Sequence, residues 1–437
     1  MSELLLGFYG DDFTGSTDAM EAMALHGLRT LLFIEPPRQE DLRDYEHLQC
    51  VGIAGTSRSM APVAMNEEVS KAFRALDELE PLLVQYKTCS TVDSSKERGN
   101  LGVAIEAGRA LFSNQRIPFV AACPQLGRYT VFGHHFAKQG DEVYRLDRHP
   151  TMSVHPSTPM QESDLCEVLR EQSEEDVMLV NVLELEERTF DEGTHVAVFD
   201  TLTFDDQKQV AKRVLEQAFE HEGSTFVVGS SGLNYGCASY WQEKGWHRSV
   251  VPSGSRLTNV TQIAAVSGSA SPLTKKQIEY AEANGFCCLR VTWTEREDVL
   301  REAHIALRAG KSVLLYTAKG SDDPAIVAMK HALKEDGLRD TAQALGLLLG
   351  DLLKALVETH RLQRVAVGGG DTSGFVVRTL GIHALEVEQP LSPGAPLCLG
   401  YKKDSNDATL EIALKGGQLG RDSFFLDVLQ GRCVDDA

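Results

Sequence analysis

Short runs of apolar residues alternate with amphipathic segments along the whole chain. In the first half the apolar runs predict strands at residues 4–9, 30–33, 50–53, 82–86, 119–122, 177–180, 196–199 and 225–228. In the second half they predict strands at residues 263–266, 288–291, 312–316, 364–367 and 385–387. Segments of helical period lie between them, among them residues 16–26, 65–79, 277–283 and 342–357. Such alternation is typical of parallel sheets, so we predict an α/β fold.

A polar segment at residues 247–261 interrupts this alternation with Pro, Gly and Ser and shows no clear period. Its composition is typical of a linker. The chain of 437 residues exceeds one ordinary core, since roughly 150 residues form a domain. We therefore predict two domains, residues 1–255 and residues 256–437, each a mostly parallel sheet flanked by helices.

Composition and charge narrow the class of protein. Hydrophobic residues make up 42% and charged residues 24%, which is typical of a globular protein. The 63 acidic and 43 basic residues give a net charge of −20, which would repel a nucleic-acid backbone. The nine cysteines form no C-x-x-C pair, so we expect reduced thiols. The N-terminus lacks the basic segment of a signal peptide, and no apolar run approaches the about 18 residues of a membrane span; we expect a cytoplasmic protein without membrane contacts.

Two adjacent carboxylates follow the first predicted strand, in the segment GDDFTGSTD at residues 10–18. Open α/β sheets bind ligands at the carboxyl ends of their strands, and the helix that follows has a positively polarised N-terminus. Asp11 and Asp12 are therefore candidate catalytic residues that could orient a substrate hydroxyl or accept its proton. Capping of the helix is the alternative. A dinucleotide site is disfavoured, because the G-x-G-x-x-G spacing is absent and two carboxylates would repel a pyrophosphate.

Basic and hydroxyl side chains follow other predicted strands of the first half. Arginine and lysine can hold a carboxylate, arginine with two parallel hydrogen bonds, and hydroxyl groups can bind a polyol. A solvated loop is the alternative for the lysine. The predicted substrate-binding residues are Arg58, Lys87, Ser90, Thr91 and Arg128.

The histidines do not suggest a metal site. His149 and His155 fit no metal-ligand spacing, and no protein ligands for a metal are predicted. His134 and His135 could face a substrate, but packed loop histidines are the favoured interpretation.

Glycine-rich turns join predicted strands to helices in the second half, at residues 266–274 (VSGSASPLT) and 367–374 (VGGGDTSG). Backbone N–H groups and hydroxyls in such turns can cradle phosphates. A third glycine-rich element, LKGGQLG, occupies residues 414–420. The segment AGKS at residues 309–312 only imitates a Walker A loop, because its order is helix, turn, strand; Gly310 is expected to end the helix.

With these motifs identified, the chain resembles the four-carbon acid sugar kinase family over nearly its whole length. The motifs are DDFTG (residues 11–15), GRYTVFGH (127–134), GSxSPxT (268–274), GGxTSG (369–374), PGxP (393–396) and LKxGxxG (414–420). Six motifs in one order are more specific than any one of them.

The resemblance implies a two-domain enzyme whose N-terminal domain holds a sugar acid and whose C-terminal domain holds ATP, with the active site in the cleft between them. It implies phosphorylation of the terminal hydroxyl of an acid such as threonate, 3-oxo-tetronate or 3-oxo-isoapionate in carbohydrate-acid catabolism. Mg²⁺ is expected to bridge the ATP phosphates. The implied nucleotide-binding residues are Ser269, Gly369, Gly370, Asp371, Thr372 and Gly417.

Two positions depart from the family pattern. The common sequence after the lysine is K-x-D-S-T-L-R-G-N, whereas this chain has KTCSTVDSS at residues 87–95, with Cys89 in the acidic position. Asp371 stands where many members have Glu. The first departure resembles a branch of the family that includes kinases of branched oxo acids such as 3-oxo-isoapionate. The acid and its stereochemistry stay open, as does the oligomeric state, a homo-oligomer included.

Two other functions stay open from the sequence. A ribokinase-type sugar kinase is suggested by the GGGDT turn at residues 368–372, which imitates that family's G-x-G-D turn with its catalytic aspartate. The other motifs have no ribokinase counterpart. A non-enzymatic, two-lobed sugar-acid-binding protein is the second alternative, although such a protein has no use for phosphate-cradling turns.

Overall fold

The computed structural model describes residues 4–43, 45–114, 116–155, 158–189, 193, 195–246, 260–338, 340–403 and 408–432. The chain divides into two compact units, Met1–Val250 and Val251–Ala437. Most of the predicted linker, residues 247–261, and the predicted boundary at residue 255 lie outside the described residues. That boundary therefore stays a prediction.

The first unit consists of βα units in which each strand is followed by a helix or a turn. Its strands are β1 (Leu6–Gly10), β2 (Thr30–Phe33), β3 (Cys50–Ala54), β4 (Leu83–Lys87), β5 (Ile117–Val120), β6 (Arg128–Val131), β7 (His134–Gln139), β8 (Glu142–Arg145), β9 (Val177–Val180), β10 (Val196–Phe199) and β11 (Thr225–Gly229). Its helices are α1 (Phe13–Ala24), α2 (Gln39–Leu42), α3 (Pro62–Asp77), α4 (Leu101–Leu111), α5 (Leu165–Gln172), α6 (Phe204–Glu220) and α7 (Ser231–Glu243).

Among the described residues of this unit, eight strands form a parallel sheet in the order β2-β3-β1-β4-β11-β5-β10-β9. The central strands are buried on both faces, which explains why they are continuous apolar runs in the sequence. Aromatic side chains fill one face, where the ring of Phe73 lies 5.0 Å from that of Phe226. Strands β6, β7 and β8 form a separate antiparallel sheet that the sequence did not predict.

The second unit repeats the α/β pattern with a partly antiparallel sheet. Its strands are β12 (Ala264–Ser267), β13 (Cys287–Arg290), β14 (Val313–Tyr316), β15 (Arg364–Gly368), β16 (Ile382–Gln389), β17 (Leu397–Lys402) and β18 (Ala408–Lys415). Its helices are α8 (Pro272–Ala283), α9 (Arg296–Arg308), α10 (Ala325–Glu335), α11 (Thr341–His360), α12 (Gly370–Thr379) and α13 (Phe424–Gln430).

In the described part of this unit the strand order is β13-β14-β12-β15-β18-β17-β16, with the first five strands parallel and the last two pairings antiparallel. The core lies between the sheet and helices α8 and α13, around Ile278, Phe424 and Phe425. The prediction of an α/β fold with mostly parallel sheets is thus confirmed in both units.

The interpretation of the AGKS segment is also confirmed. Helix α9 ends at Arg308, Gly310 has a φ of +78°, and β14 starts at Val313. Gly310 therefore follows the end of a helix, in the left-handed conformation that glycine adopts without strain. Among the described helices, none combines the length and the apolar character that crossing a bilayer requires.

Candidate active site

The register of three parallel strands brings the predicted acid-site residues together in the first unit. Gly10, the last residue of β1, pairs with Ala54 of β3 and with Lys87 of β4. The carboxyl ends of these strands therefore lie at one edge of the sheet. Asp11 and Asp12 follow β1, and Arg58 lies in the short turn after β3.

Arg58 contacts both carboxylates at this edge. Its Nε donates to Oδ2 of Asp11 at 3.1 Å, and its Nη2 donates to Oδ1 of the same carboxylate at 2.9 Å. Its Nη1 donates to Oδ2 of Asp12 at 3.0 Å. The two parallel hydrogen bonds that the sequence analysis assigned to a substrate carboxylate are therefore made to Asp11, which is only 2% exposed. We interpret Arg58 as the residue that holds the acidic pair in place.

Asp12 also caps helix α1. Its Oδ1 accepts from the Gly15 N–H at 2.8 Å, and its Oδ2 accepts from the Thr14 hydroxyl at 2.9 Å. The capping alternative is therefore correct for Asp12, although capping does not account for its contact with Arg58. Burial alone would raise the pKa of Asp12, but Arg58, Lys87 and these hydrogen bonds hold that pKa below its ordinary value. Asp12 therefore stays ionised at neutral pH.

Asp11 differs from Asp12 in its environment. Burial raises the pKa of its carboxyl, and the charge of Asp12 adds to that effect, while Arg58 opposes it. Its Oδ2 also accepts the Cys89 N–H at 3.2 Å, which ties the loop after β4 to the acidic pair. The two carboxylates thus have pKa values shifted in opposite directions.

Lys87 places a buried ammonium group beside Asp12. Its side chain is 2% exposed, and a Cβ at position 15 would lie 2.4 Å from its Nζ, so Gly15 leaves the space that the ammonium occupies. Within the part of the chain that the structure describes, no hydrogen bond or ion pair engages this Nζ. Lys87 is therefore a cation at this edge that can bind an anionic group.

The loop after β4 contains the predicted residues Ser90 and Thr91. The Thr91 hydroxyl donates to Oδ1 of Asp93 at 2.8 Å and lies 3.0 Å from Sγ of Cys89. Burial raises the pKa of the Cys89 thiol to about 11, so Cys89 is neutral at physiological pH. This loop therefore presents a neutral thiol beside a hydroxyl that is already hydrogen-bonded, and the Ser90 side chain is half-buried.

His135 connects this loop to the small antiparallel sheet. Its Nε2 lies 2.8 Å from the Ser90 carbonyl oxygen, and its Nδ1 lies 2.9 Å from Oγ1 of Thr130. Burial lowers the pKa of His135 to about 4, so the neutral ring donates from Nε2 and accepts the Thr130 hydroxyl at Nδ1. His135 is packed, as predicted, but it lies in strand β7 and not in a loop. His134 likewise contacts Ser163, with Nδ1 3.0 Å from Oγ.

The His135 contacts predict a loss of stability in acid. An unfolded histidine has an ordinary pKa of 6.5, so below pH 6.5 the unfolded chain binds the additional proton and stability falls until about pH 4. The loss from this residue is on the order of 3 kcal/mol, since each pKa unit corresponds to about 1.4 kcal/mol. His135→Gln should reduce the acid dependence of urea unfolding. His221→Gln, at the end of α6, is the control, and an unchanged acid dependence in His135→Gln would contradict the prediction.

Arg128 is the first residue of strand β6, in the small antiparallel sheet. Its Nη1 donates to the carbonyl oxygens of Leu126 and Lys138. The guanidinium is thus held by backbone groups, and its assignment to the substrate stays a proposal.

Asp18 is a buried carboxylate that the sequence analysis did not single out. It is 7% exposed, and its Oδ1 has no hydrogen-bond partner among the described residues. Burial raises its pKa, while Lys87 and a hydrogen bond from Ser231 oppose that effect. The sequence could have indicated Asp18 as a site residue, because it lies one helical turn after Gly15 and therefore on the same face of α1.

Three turns of the second unit lie side by side, after β12, β15 and β18. The Gly268 N–H donates to the Gly368 carbonyl oxygen at 3.0 Å, and the Gly369 N–H donates to the Lys415 carbonyl oxygen at 2.9 Å. These turns and the start of α12 carry the predicted nucleotide-binding residues, namely Ser269, Gly369, Gly370, Asp371, Thr372 and Gly417. The side chain of Asp371 lies outside the described part of the chain.

The turns are in contact through their glycines. A Cβ at Gly268 would lie 2.2 Å from Oγ1 of Thr372, and a Cβ at Gly417 would lie 2.8 Å from Oγ of Ser269. Gly369 has a φ of +121°, which strongly favours glycine, and it precedes the first turn of α12. The packing therefore brings backbone N–H groups and hydroxyls to one place, as phosphate binding requires.

A buried lysine lies beneath these turns. Nζ of Lys415 donates to Oγ1 of Thr274 at 3.1 Å and to the Gly416 carbonyl oxygen at 2.9 Å. The Thr274 hydroxyl donates in turn to Oγ of Ser269 at 3.0 Å. Lys415 belongs to the LKxGxxG motif at residues 414–420, of which only Gly417 was predicted to bind the nucleotide.

No cluster of three or more His, Cys, Asp or Glu that could hold a metal ion occurs among the described residues. Mg²⁺ does not need such a cluster, because it usually keeps several waters and binds through one or two carboxylates and the phosphates of a nucleotide. The hydroxyl-rich turns fit such a phosphate-bound ion.

Comparison with known proteins matches each of the two units to a known domain family. Residues 6–237 match the sugar-binding N-terminal domain, and residues 264–425 match the nucleotide-binding C-terminal domain. A 3-oxo-isoapionate kinase of Paraburkholderia graminis is 40% identical over 98% of this chain and 95% of its own. A 3-oxo-tetronate kinase of Pseudomonas savastanoi pv. phaseolicola is 28% identical over 98% and 97%. A crystal structure from Salmonella typhimurium LT2, described as a candidate tRNA synthase, has a TM-score of 0.77 and 26% identity over 96% and 98%.

Proposed function

Because the chain belongs to the four-carbon acid sugar kinase family, with its sugar-binding and nucleotide-binding domains, we propose that it transfers the γ-phosphate of ATP to the terminal hydroxyl of a small sugar acid. The observation that carries this proposal is the Lys87 ammonium beside the ionised Asp12. Together they offer one group for the carboxylate of the acid and another for a hydroxyl. Lys87 would bind the carboxylate by a charge-assisted hydrogen bond.

The acidic pair would act on the hydroxyl that is phosphorylated. Phosphoryl transfer depends on positioning and on charge stabilisation more than on covalent help. Asp12 is the first candidate for the group that orients this hydroxyl, and Asp11 is the second. Arg58, fixed by its contacts to both, keeps the carboxylates in one geometry. Asp18 would add a further acceptor near Lys87.

The second unit would hold the nucleotide. The backbone N–H groups of the three glycine turns would cradle the phosphates, and the hydroxyls of Ser269 and Thr372 would contact them. Mg²⁺, bound chiefly to the phosphate oxygens, would neutralise charge that develops during transfer.

The proposed substrate is a branched oxo acid, with 3-oxo-isoapionate as the first candidate. The relative of that name is 40% identical to this chain, against 28% for the 3-oxo-tetronate kinase. Cys89 supports the proposal, because a neutral thiol in the acid-binding loop differs chemically from the carboxylate of the common family pattern. A neutral group there changes which substrate hydroxyls or carbonyls find a hydrogen-bond partner.

Coupled measurement of ADP release tests the proposed function. The panel comprises four-carbon sugar acids, their 3-oxo forms and branched 3-oxo acids, and the highest kcat/KM is expected for a branched acid. MgADP should also raise the melting temperature of the free protein. Absence of ADP release with every acid, together with no effect of MgADP, would favour a non-enzymatic sugar-acid-binding protein.

Cys89→Asp is expected to change the substrate preference. The variant restores the acidic residue of the common pattern, so kcat/KM for the branched acid should fall at least about 10-fold relative to an unbranched 3-oxo acid, as when a buried polar contact is mismatched. The control is Cys89→Ser, which keeps a small neutral side chain. An unchanged ratio of the two kcat/KM values in Cys89→Asp would exclude a role for this residue in choosing the acid.

A further inference from the structure

Lys415 ends strand β18 with a side chain that is 0% exposed. Burial of a charged side chain is expensive unless an opposite charge is near, and fully buried lysines are rare without one. The described groups that contact or face Nζ are neutral: the Thr274 hydroxyl of α8, the Gly416 carbonyl oxygen and the Phe424 ring of α13. The ring of Phe424 lies 5.9 Å from Nζ and adds a modest cation–π attraction.

The carboxylates of Asp427 and Glu411, on two of the elements around Lys415, are engaged with other groups. Asp427 of α13 accepts the Ser423 hydroxyl at 2.7 Å and lies 3.7 Å from Nε of Arg421. Glu411, on the same strand as Lys415, pairs with Arg364. Among the described residues no carboxylate forms an ion pair with Lys415, and burial accounts for its lowered pKa.

Lys415 touches each of the three glycine turns. Its Nζ contacts Thr274, which lies in the first turn of α8 and donates to Ser269. Its carbonyl oxygen accepts the Gly369 N–H, which belongs to the turn before α12. The third turn begins with Gly416, whose carbonyl oxygen accepts from Nζ. A group in this position affects the geometry of all three turns together.

We propose that Lys415 is a positioning residue of the nucleotide site, whose buried ammonium is balanced by the phosphates of the bound nucleotide. The proposal rests on the proposed function of the second unit and deepens it, because it names the positive charge that the phosphates of the nucleotide would neutralise. Lys415 acts through Thr274, Ser269 and the turn amides, since its own Nζ is covered.

Proton uptake on nucleotide binding follows from this arrangement. Burial lowers the pKa of Lys415 to about 7, so a large share of the free protein carries the neutral amine slightly above neutral pH. Phosphates close to the amine favour its charged form and raise its pKa. Binding of nucleotide near pH 7.5 therefore takes up protons, and affinity falls as the pH is raised.

The stability of the free protein increases as Lys415 loses its charge, whereas its affinity for nucleotide falls. Below about pH 7 both the folded and the unfolded protein carry the Lys415 charge, and the burial penalty is complete. Between about pH 7 and the ordinary value of 10.5 the unfolded chain binds the additional proton, so stability increases with pH. Lys415→Met removes the penalty and should leave the free protein at least as stable as the parent at pH 7.

Calorimetric titration with MgADP tests the proposal at pH 7.5 in HEPES and in Tris, two phosphate-free buffers with different ionisation enthalpies. The parent protein should take up measurably more protons per bound MgADP than Lys415→Met, and the variant should bind MgADP about 10-fold or more weakly. Lys275→Met, which removes a lysine of α8, is the control and should match the parent in both quantities.

Two results would overturn the inference. One is equal proton uptake by the parent and Lys415→Met. The other is a Lys415→Met variant with a lowered melting temperature and unchanged MgADP affinity, which indicates a purely structural lysine. If the variant does not fold, the parent alone decides the matter, because its MgADP affinity must fall between pH 7 and pH 9.5. A parent protein that binds no MgADP would contradict the proposed function instead.

Discussion

Asp12→Asn is expected to lower kcat about 10²–10⁴-fold, the range typical of the loss of a positioned proton acceptor. Asparagine keeps the cap of α1, because its side-chain oxygen can still accept the Gly15 N–H. The variant therefore removes the charge without removing the helix start. Because the pKa of Asp12 lies below its ordinary value, the parent should keep its activity well into the acidic range.

A control variant shows which of the two carboxylates orients the hydroxyl. Asp11→Asn replaces the carboxylate that pairs with Arg58 through two hydrogen bonds, and a smaller loss of kcat than in Asp12→Asn would identify Asp12 as the orienting group. The effect of MgADP on the melting temperature should be the same in both variants and the parent. Coupled ADP release with the preferred acid gives kcat and KM separately.

The ribokinase-type alternative makes the opposite prediction. In that case Asp371→Asn would abolish turnover and Asp12→Asn would leave kcat almost unchanged. This pattern would reject the assignment of the acidic pair to the phosphorylated hydroxyl.

The sequence predicted the buried parallel strands well, because a strand covered on both faces is a continuous apolar run. Thr30–Phe33, Val177–Val180 and Val196–Phe199 match their predicted bounds. Strands β6, β7 and β8, which it did not predict, lack this signal, whereas β17 and β18 are buried and mostly apolar and were missed all the same. Strand β7, with the sequence HHFAKQ, is polar and partly exposed, and its antiparallel partners depend on pairing rather than on local composition.

The site residues were predictable where charged side chains lie at or directly after the end of a predicted strand, as with Asp11, Asp12 and Lys87. The partner of Arg58 was not, because the hydrogen bonds to Asp11 join residues 47 positions apart and depend on the order of β1 and β3 in the sheet. Asp18 and Lys415 were missed for a different reason. Charged residues are normally exposed, so a sequence does not reveal which of them the fold buries.

Arg58→Met is expected to destabilise the first unit by about 3–5 kcal/mol, the usual result of removing one partner of a buried charge pair. The variant would leave the Asp11 and Asp12 carboxylates side by side at the edge of the sheet without the guanidinium that holds them together. Urea unfolding measures the loss in a Trp293→Phe background, where the fluorescence comes from Trp241 and Trp246 of the first unit.

A second substitution and a change of pH can show whether Arg58→Met loses stability through repulsion between the carboxylates or through lost packing. Asp11→Asn combined with Arg58→Met removes one of the two repelling charges and should recover most of the stability. Lowering the pH from 7.5 to 4.5 should shrink the deficit of Arg58→Met, because the buried carboxyls then take up protons more readily than in the unfolded chain. Arg38→Met, at a surface pair whose arginine is 66% exposed, should cost less than about 1 kcal/mol. A deficit that is independent of pH and not restored by Asp11→Asn would mean that Arg58 acts through its packing, and that the acidic pair does not need it for charge.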